Sequence, residues 1–154
     1  MVDDLEPFES PRILIDGAKE GISKFEAGCR IFVSACEYTV IDYEEPSSGD
    51  KVRKLRFQQR IPGSLRHTAY SILNDLRHAL DQAVCDGAIF LGRVDGSGLH
   101  FPFAKSLADF DREAKARLKG VNPELSAYIK GHNAYYGGDT ELYAFGSLSG
   151  PNRR

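Results

Sequence analysis

Four polar residues on one predicted helix could act together as a chemical site. Asn74 and Arg77 are three positions apart, and Asn74–His78 and Arg77–Asp81 are each four apart. Residues three or four positions apart are neighbours on a helix surface, so these side chains can meet on one side. Asp81 could hold the Arg77 guanidinium in a fixed orientation, because the fork of an arginine matches a carboxylate.

This polar group supports two interpretations. In the first, Arg77 and Asp81 form a partly buried ion pair that fixes how the helices dock. In the second, Arg77 stabilises the charge of a phosphate while a nearby imidazole moves a proton, which describes an anion-binding or RNA-cleaving centre. Residue types and spacing alone favour the ion pair.

The helix that carries this group is predicted from Ser64 to Leu91, and the rest of the chain can be arranged as cover for it. Pro62-Gly63-Ser64 breaks the preceding segment and caps the helix. Its apolar residues recur at helical spacing. They are Ala69, Ile72, Leu73, Leu76, Leu80, Ala83, Val84 and Leu91. Arg77 interrupts the face that Leu73, Leu80 and Val84 form.

A second long helix is predicted after Ser10-Pro11, which supplies a capping hydroxyl followed by proline at the first helical position. Its apolar residues recur every three or four positions, as on one face of a helix. They are Leu14, Ala18, Ile22, Phe25, Cys29, Phe32 and Cys36. Gly21 and Gly28 lie at the edge of this stripe, where the close approach of another helix would explain them. We expect the two helices to lie antiparallel.

Between the two helices, residues at about 38–61 are predicted to form a β-hairpin. Tyr38–Tyr43 is β-branched and aromatic, and Lys51–Ile61 alternates in polarity across a turn-rich linker. An isolated hairpin is marginally stable in water, so we expect it to lean on the helices through its apolar side. Its other side carries Lys54, Arg56 and Arg60. These side chains could contact nucleic-acid phosphates, although keeping an edge strand soluble is the favoured interpretation.

Two or three short helices are predicted to follow. Ser106–Asp109 fits a capping box, Asn122-Pro123 begins another helix, and Asp139-Thr140 begins a last one. Phe101 and Phe103 are expected to plug the end of the helical core, and His132 lies in an aromatic loop. The fold class is therefore mainly α. We expect a flexible arm at 1–9, one helical domain at 10–149 and a tail at 150–154.

Composition limits the remaining options. The chain has 154 residues, 42% of them hydrophobic and 27% charged, which suits one globular domain. A net charge of −2 argues against a surface-wide field for nucleic acid, though a local basic patch remains possible. Neither a membrane span nor a secretory signal is present, so a cytoplasmic location is expected. Cys29 and Cys36, two helical turns apart, are too distant for a disulfide.

Metal and cofactor chemistry find no support in the sequence motifs. The four histidines are His67, His78, His100 and His132, and no two of them are four positions apart on a helix. The cysteines also lack the spacing of a zinc site. No glycine loop has the context that phosphate-binding loops require. We therefore expect no metal and no cofactor.

Residues Leu76–Val84 resemble the "LRSALDH" helix of a widespread family of uncharacterised bacterial and phage proteins. The similarity extends to the strand pair that begins at Tyr38, to Phe101-Pro102-Phe103 and to Leu142–Leu148. It covers most of the chain, but its motifs are short, and that family implies no activity.

The same helix is similar to the Arg-x4–6-His motif of HEPN-type helical domains, many of which are RNases of toxin and defence systems. Arg77 would match the arginine and His78 the polar residue after it, but Gln82 stands where the histidine belongs. Glutamine cannot transfer a proton, so the resemblance implies a catalytically degenerate protein that acts on a protein partner, through its own dimer or on RNA. Two alternatives stay open. One is a metal-independent RNase in which His78 or His132 substitutes, and the other is a nucleic-acid-binding module that uses the hairpin.

Overall fold

The computed structural model describes residues 6–149. They form α1 (Glu9–Ala35), β1 (Tyr38–Glu44), β2 (Lys51–Phe57), α2 (Gly63–Phe90), α3 (Leu107–Arg117), α4 (Pro123–Gly131) and α5 (Thr140–Ser149). The predicted class, a mainly helical domain with an inserted hairpin and short C-terminal helices, is confirmed. The predicted tail at 150–154, and residues 1–5 of the predicted arm, lie outside the described residues.

α1 and α2 lie antiparallel and in close contact. Gly21 faces Ile72 and Gly28 faces Leu65, so positions that advance along α1 recede along α2. A methyl group added at Gly21 would lie 2.8 Å from Ile72 Cγ1, closer than carbon atoms pack. One added at Gly28 would overlap Leu65 Cδ2. The close helix approach predicted from these two glycines is therefore confirmed.

Ser10 does not cap α1, which corrects the prediction. The helix begins at Glu9, and no side chain caps its first turn. Ser10 Oγ instead donates to Gln82 Oε1 on α2, and the Phe8 N–H donates to Asp86 Oδ2 at 3.1 Å. The hydroxyl serves a contact between two helices distant in sequence, which local sequence signals cannot reveal.

The hairpin is shorter than predicted. β1 and β2 pair antiparallel from Tyr38 opposite Phe57 to Glu44 opposite Lys51, so the second strand ends at residue 57 rather than 61. α2 then begins at Gly63 with Pro62 at its N-cap position, so the boundary predicted from Pro62-Gly63-Ser64 is confirmed, although no side chain at the N-cap forms a capping hydrogen bond.

The hairpin does not lean on the helices along its apolar side, contrary to expectation. Its ring contact with the helices is at its base, where the Phe57 and Phe32 ring centroids are 5.5 Å apart. Further along the same face, Val40 and Leu55 are 51% and 56% exposed. The hairpin therefore projects from the helical pair.

The core lies around the second half of α2. It joins α2, α3, α4 and the connecting segments through Val84, Ala88, Leu99, Phe101, Phe110, Ala114, Leu118, Val121, Ile129 and Ala134. Phe101 is buried and Phe103 packs against this cluster, as predicted. Local caps hold α3 and α4, since Ser106 accepts from the Asp109 N–H and Asn122 accepts from the Glu124 N–H. Within residues 6–149, no helix is both long and apolar enough to cross a membrane.

Candidate functional site

A cleft of about 610 Å³ lies between α2, α3, α5 and the segment that joins α2 to α3. Its charged or titratable lining residues include Arg77, Asp81, His100, Lys105, Glu113 and Arg117. α2 supplies the first two, the connecting segment the next two, and α3 the last two. The cleft therefore collects ionisable groups from three separate parts of the chain.

Arg77 lies over an aromatic ring at one wall of this cleft. Its Cζ atom is 4.7 Å from the centroid of Phe103, a cation–π geometry. Its Nη1 also donates to Ser149 Oγ at 3.5 Å. Among residues 6–149, no carboxylate lies within ion-pair distance of Arg77. The predicted ion pair between Arg77 and Asp81 is therefore wrong.

Asp81 instead holds the segment that carries His100. Its Oδ1 accepts from the Phe101 N–H at 2.8 Å, and its Oδ2 lies 3.2 Å from His100 Nδ1. An ionised carboxylate can only accept, so the contact favours the tautomer with the proton on Nδ1 and a free lone pair on Nε2. Asp81 is 20% exposed and His100 45% exposed. This arrangement orients an accessible imidazole in the cleft.

The opposite wall adds further charge. Arg117 Nε donates to Glu113 Oε2 at 3.2 Å on α3. Lys105 makes no ion pair within the described part of the chain. Asp81 lies beside His100, and Glu113 pairs with Arg117. Arg77 and Lys105 therefore retain positive charge for an incoming anion.

A buried glycine in α5 supports the wall under Arg77. A methyl group added at Gly146 would overlap the Phe103 ring. Phe145 packs on the same ring, with centroids 5.8 Å apart. α5 can therefore approach Phe103 closely, and Phe103 in turn supports the Arg77 guanidinium.

The other sequence candidates lie outside the cleft lining. Asn74 and His78 are exposed on α2, so the four-residue group predicted there is divided. Gln82 turns toward α1, where it accepts from Ser10. His132 is exposed and packs against the Tyr128 ring, with centroids 5.0 Å apart. The cleft thus brings together only Arg77 and Asp81 from the predicted site.

Some of the cations on the hairpin already interact locally. Arg53 donates from Nε and Nη2 to Asp42 at 2.7 and 3.0 Å, and this contact lowers the pKa of the Asp42 carboxyl. Lys54 Nζ lies 4.5 Å from the centroid of the Tyr43 ring. Arg56 and Arg60 are exposed, with Arg60 beyond the end of β2. The hairpin contributes no residue to the lining of the cleft between α2, α3 and α5.

His100 is the titratable site residue beside Asp81 that sequence reasoning did not select, and Lys105, Glu113 and Arg117 of the cleft were not selected either. His100 follows Asp81 by 19 positions in a segment without helical periodicity, so no local spacing connects the two. The only available signal was its place beside Phe101, in a segment predicted to cover the core.

No group of three or more His, Cys, Asp or Glu side chains within residues 6–149 could hold a metal ion.

No protein-family model, curated protein or solved structure matches the chain. The resemblance to the "LRSALDH" and HEPN helices therefore depends on its motif residues alone.

Proposed function

We propose that this protein is a HEPN-like helical protein that binds RNA, with a backbone phosphate of the RNA seated against Arg77 in the cleft. The observation that carries the proposal is that Arg77 faces the cleft without a carboxylate partner among the described residues. A guanidinium presents paired N–H donors that match two phosphate oxygens. Lys105 adds a second cation along the same opening.

Binding without catalysis agrees with the glutamine at position 82, which cannot replace the histidine of the HEPN motif. Two cations of the cleft lack a carboxylate partner among residues 6–149, Arg77 on α2 and Lys105 on the segment that joins α2 to α3. A chain of phosphates can satisfy such separated charges better than a single small anion can. This argument supports a nucleic-acid strand as the ligand.

Metal-independent RNA cleavage is a second candidate function, and the contact between His100 and Asp81 favours it. Neutral His100 would take the proton of a ribose 2′-hydroxyl on Nε2 while the 2′-oxygen forms a bond to phosphorus. The bond from phosphorus to the 5′-oxygen breaks, and that oxygen takes a proton from water. The histidine returns its proton to the resulting hydroxide. Arg77 would stabilise the charge on the phosphorane.

One experiment tests binding by the full chain to a fluorescent single-stranded RNA in EDTA. Arg77→Ala should weaken binding by about tenfold or more, because a charge-assisted hydrogen bond contributes about 1.5–3 kcal/mol. Arg66→Ala removes an exposed arginine from the same helix and should change affinity far less. Affinity should also fall as salt increases.

The outcomes separate the candidate surfaces. Absence of RNA binding by the wild type would contradict the proposal. Weaker binding in Lys54→Ala/Arg56→Ala, with Arg77→Ala unchanged, would assign the contact to the hairpin instead.

The same samples test cleavage, with an all-deoxy strand of the same sequence as the control substrate. If the second candidate is correct, His100→Ala should remove cleavage while RNA binding persists. His78→Ala and His132→Ala should then cleave normally, since neither residue lines the cleft. Wild-type binding without cleavage would reject the enzyme and leave the binding function.

A further inference from the structure

The hairpin lacks the support that a two-stranded sheet requires. β1 and β2 pair only with each other among the described strands, and the sheet has two strands. A two-stranded hairpin is at best marginally stable alone, and it gains stability from further strands or from a packed face. Its face toward α1 is anchored at Phe57, while Val40 and Leu55 remain about half exposed. An additional strand beside this sheet would supply the stability that the hairpin lacks.

The two edges of the hairpin differ in charge. β2 carries four cations in seven residues, Lys51, Arg53, Lys54 and Arg56. Such cations protect an edge strand against pairing. β1 begins with the uncharged run Tyr38–Ile41 and carries only Asp42 and Glu44, with no proline. β1 is therefore the edge that remains open to another strand.

We propose that a second copy of this chain adds its own β1 to this edge, antiparallel and across a two-fold axis. The product is a four-stranded sheet with the order β2-β1-β1-β2. With the axis at Val40, Asp42 of one copy lies opposite Tyr38 of the other, so no like charges face each other. β2 could not pair with itself in this way, because registers centred on residues 53–55 bring cations opposite one another.

Side-chain packing also favours this arrangement. Val40 lies opposite Leu55 and Tyr38 opposite Phe57 in the hairpin, and residues opposite one another share a face of the sheet. The two-fold axis places the Val40–Leu55 pair of one copy beside that of the other. The two copies of Val40 then meet at the centre of one apolar strip that has a Leu55 at each end. The ion pairs between Asp42 and Arg53 border the strip on both sides.

Sedimentation equilibrium of the full chain tests this proposal with two matched variants. Wild type should have a mass of twice 17.1 kDa at tens of micromolar. Val40→Lys should reduce it to the monomer mass, because two lysines would meet at the axis. Leu55→Lys makes the same change at the directly opposite position of β2, away from the axis, and should remain a dimer.

Hydrogen exchange at two protein concentrations provides the second measurement. Amides of β1 that point away from β2 should slow most at the higher concentration, because they gain a hydrogen-bond partner only in the dimer. A monomeric wild type overturns the proposal. A dimeric Val40→Lys protein overturns it in favour of another face, and loss of the dimer in both variants overturns it in favour of face-to-face packing.

Discussion

Cys85 lies one helical turn after Asp81 and packs beneath the loop that leads to His100. Its thiol donates to the Gly96 carbonyl at 3.3 Å. Burial raises the pKa of this thiol, and the negative charges of Asp81 and Asp86 raise it further, while Arg93 opposes them. The thiol is therefore held in its neutral form at pH values where an exposed cysteine ionises.

This shift predicts a pH-dependent reactivity of Cys85. Only the thiolate reacts with an alkylating reagent. The pH at which alkylation reaches half of its maximal rate should therefore be higher in the native protein than in urea. The contribution of this thiol to the free energy of unfolding is complete below its pKa in the unfolded chain. It declines as pH rises through the higher native value. Mass spectrometry of the Cys85 peptide measures the rate, and equal midpoints in both states would contradict the prediction.

Single residues were predictable where their partners lie close in sequence. The Ser106 cap involves a residue three positions away, and its sequence pattern indicated it correctly. Asp81 offered the same kind of local partner in Arg77, yet its carboxylate pairs with His100 and with the Phe101 N–H. The choice between these partners depends on where the segment that joins α2 to α3 packs. The spacing of residues along one helix holds no information about that packing.

At the scale of elements, glycines test the interface between α1 and α2. Gly28 faces Leu65 without room for a methyl group, so Gly28→Ala should destabilise the fold by about 1–3 kcal/mol through overpacking. Gly17 lies on the same helix with nothing within 4 Å of an added methyl group. Gly17→Ala should therefore stabilise by up to about 1 kcal/mol through helix propensity. Urea unfolding measures both, and equal effects of the two substitutions would contradict the close approach.

The elements themselves were largely predictable, because apolar residues at helical spacing mark α1 and α2. The packing of the hairpin was not. Alternation along β2 shows which residues share a face, but it does not show what lies opposite that face. Leu55 has the pattern of a buried residue and is more than half exposed, although Phe57 two positions away packs on Phe32 of α1.

At the scale of the molecule, burial is concentrated in one half of the structure. The continuous core runs from Val84 on α2 to Ala134 and includes α3 and α4. By contrast, Pro11 and Ala18 are the only buried residues of α1. Local stability follows buried apolar contacts, so the two halves should differ in their opening free energies. The cleft lies beside the half with the continuous core, where Asp81 accepts from the N–H of the buried Phe101.

Native-state hydrogen exchange tests this distribution. Amides at the end of α2 and in α4 should exchange at least about tenfold more slowly than those in the second half of α1, because they open only with the core. The hairpin should exchange fastest at low protein concentration, since among residues 6–149 only Phe57 of its sheet makes a ring contact with α1. Uniform protection across α1, the hairpin and α4 would instead indicate one cooperative unit. An RNA bound in the cleft should then slow exchange near Phe103 and α5 without altering the hairpin, which separates cleft binding from assembly through β1.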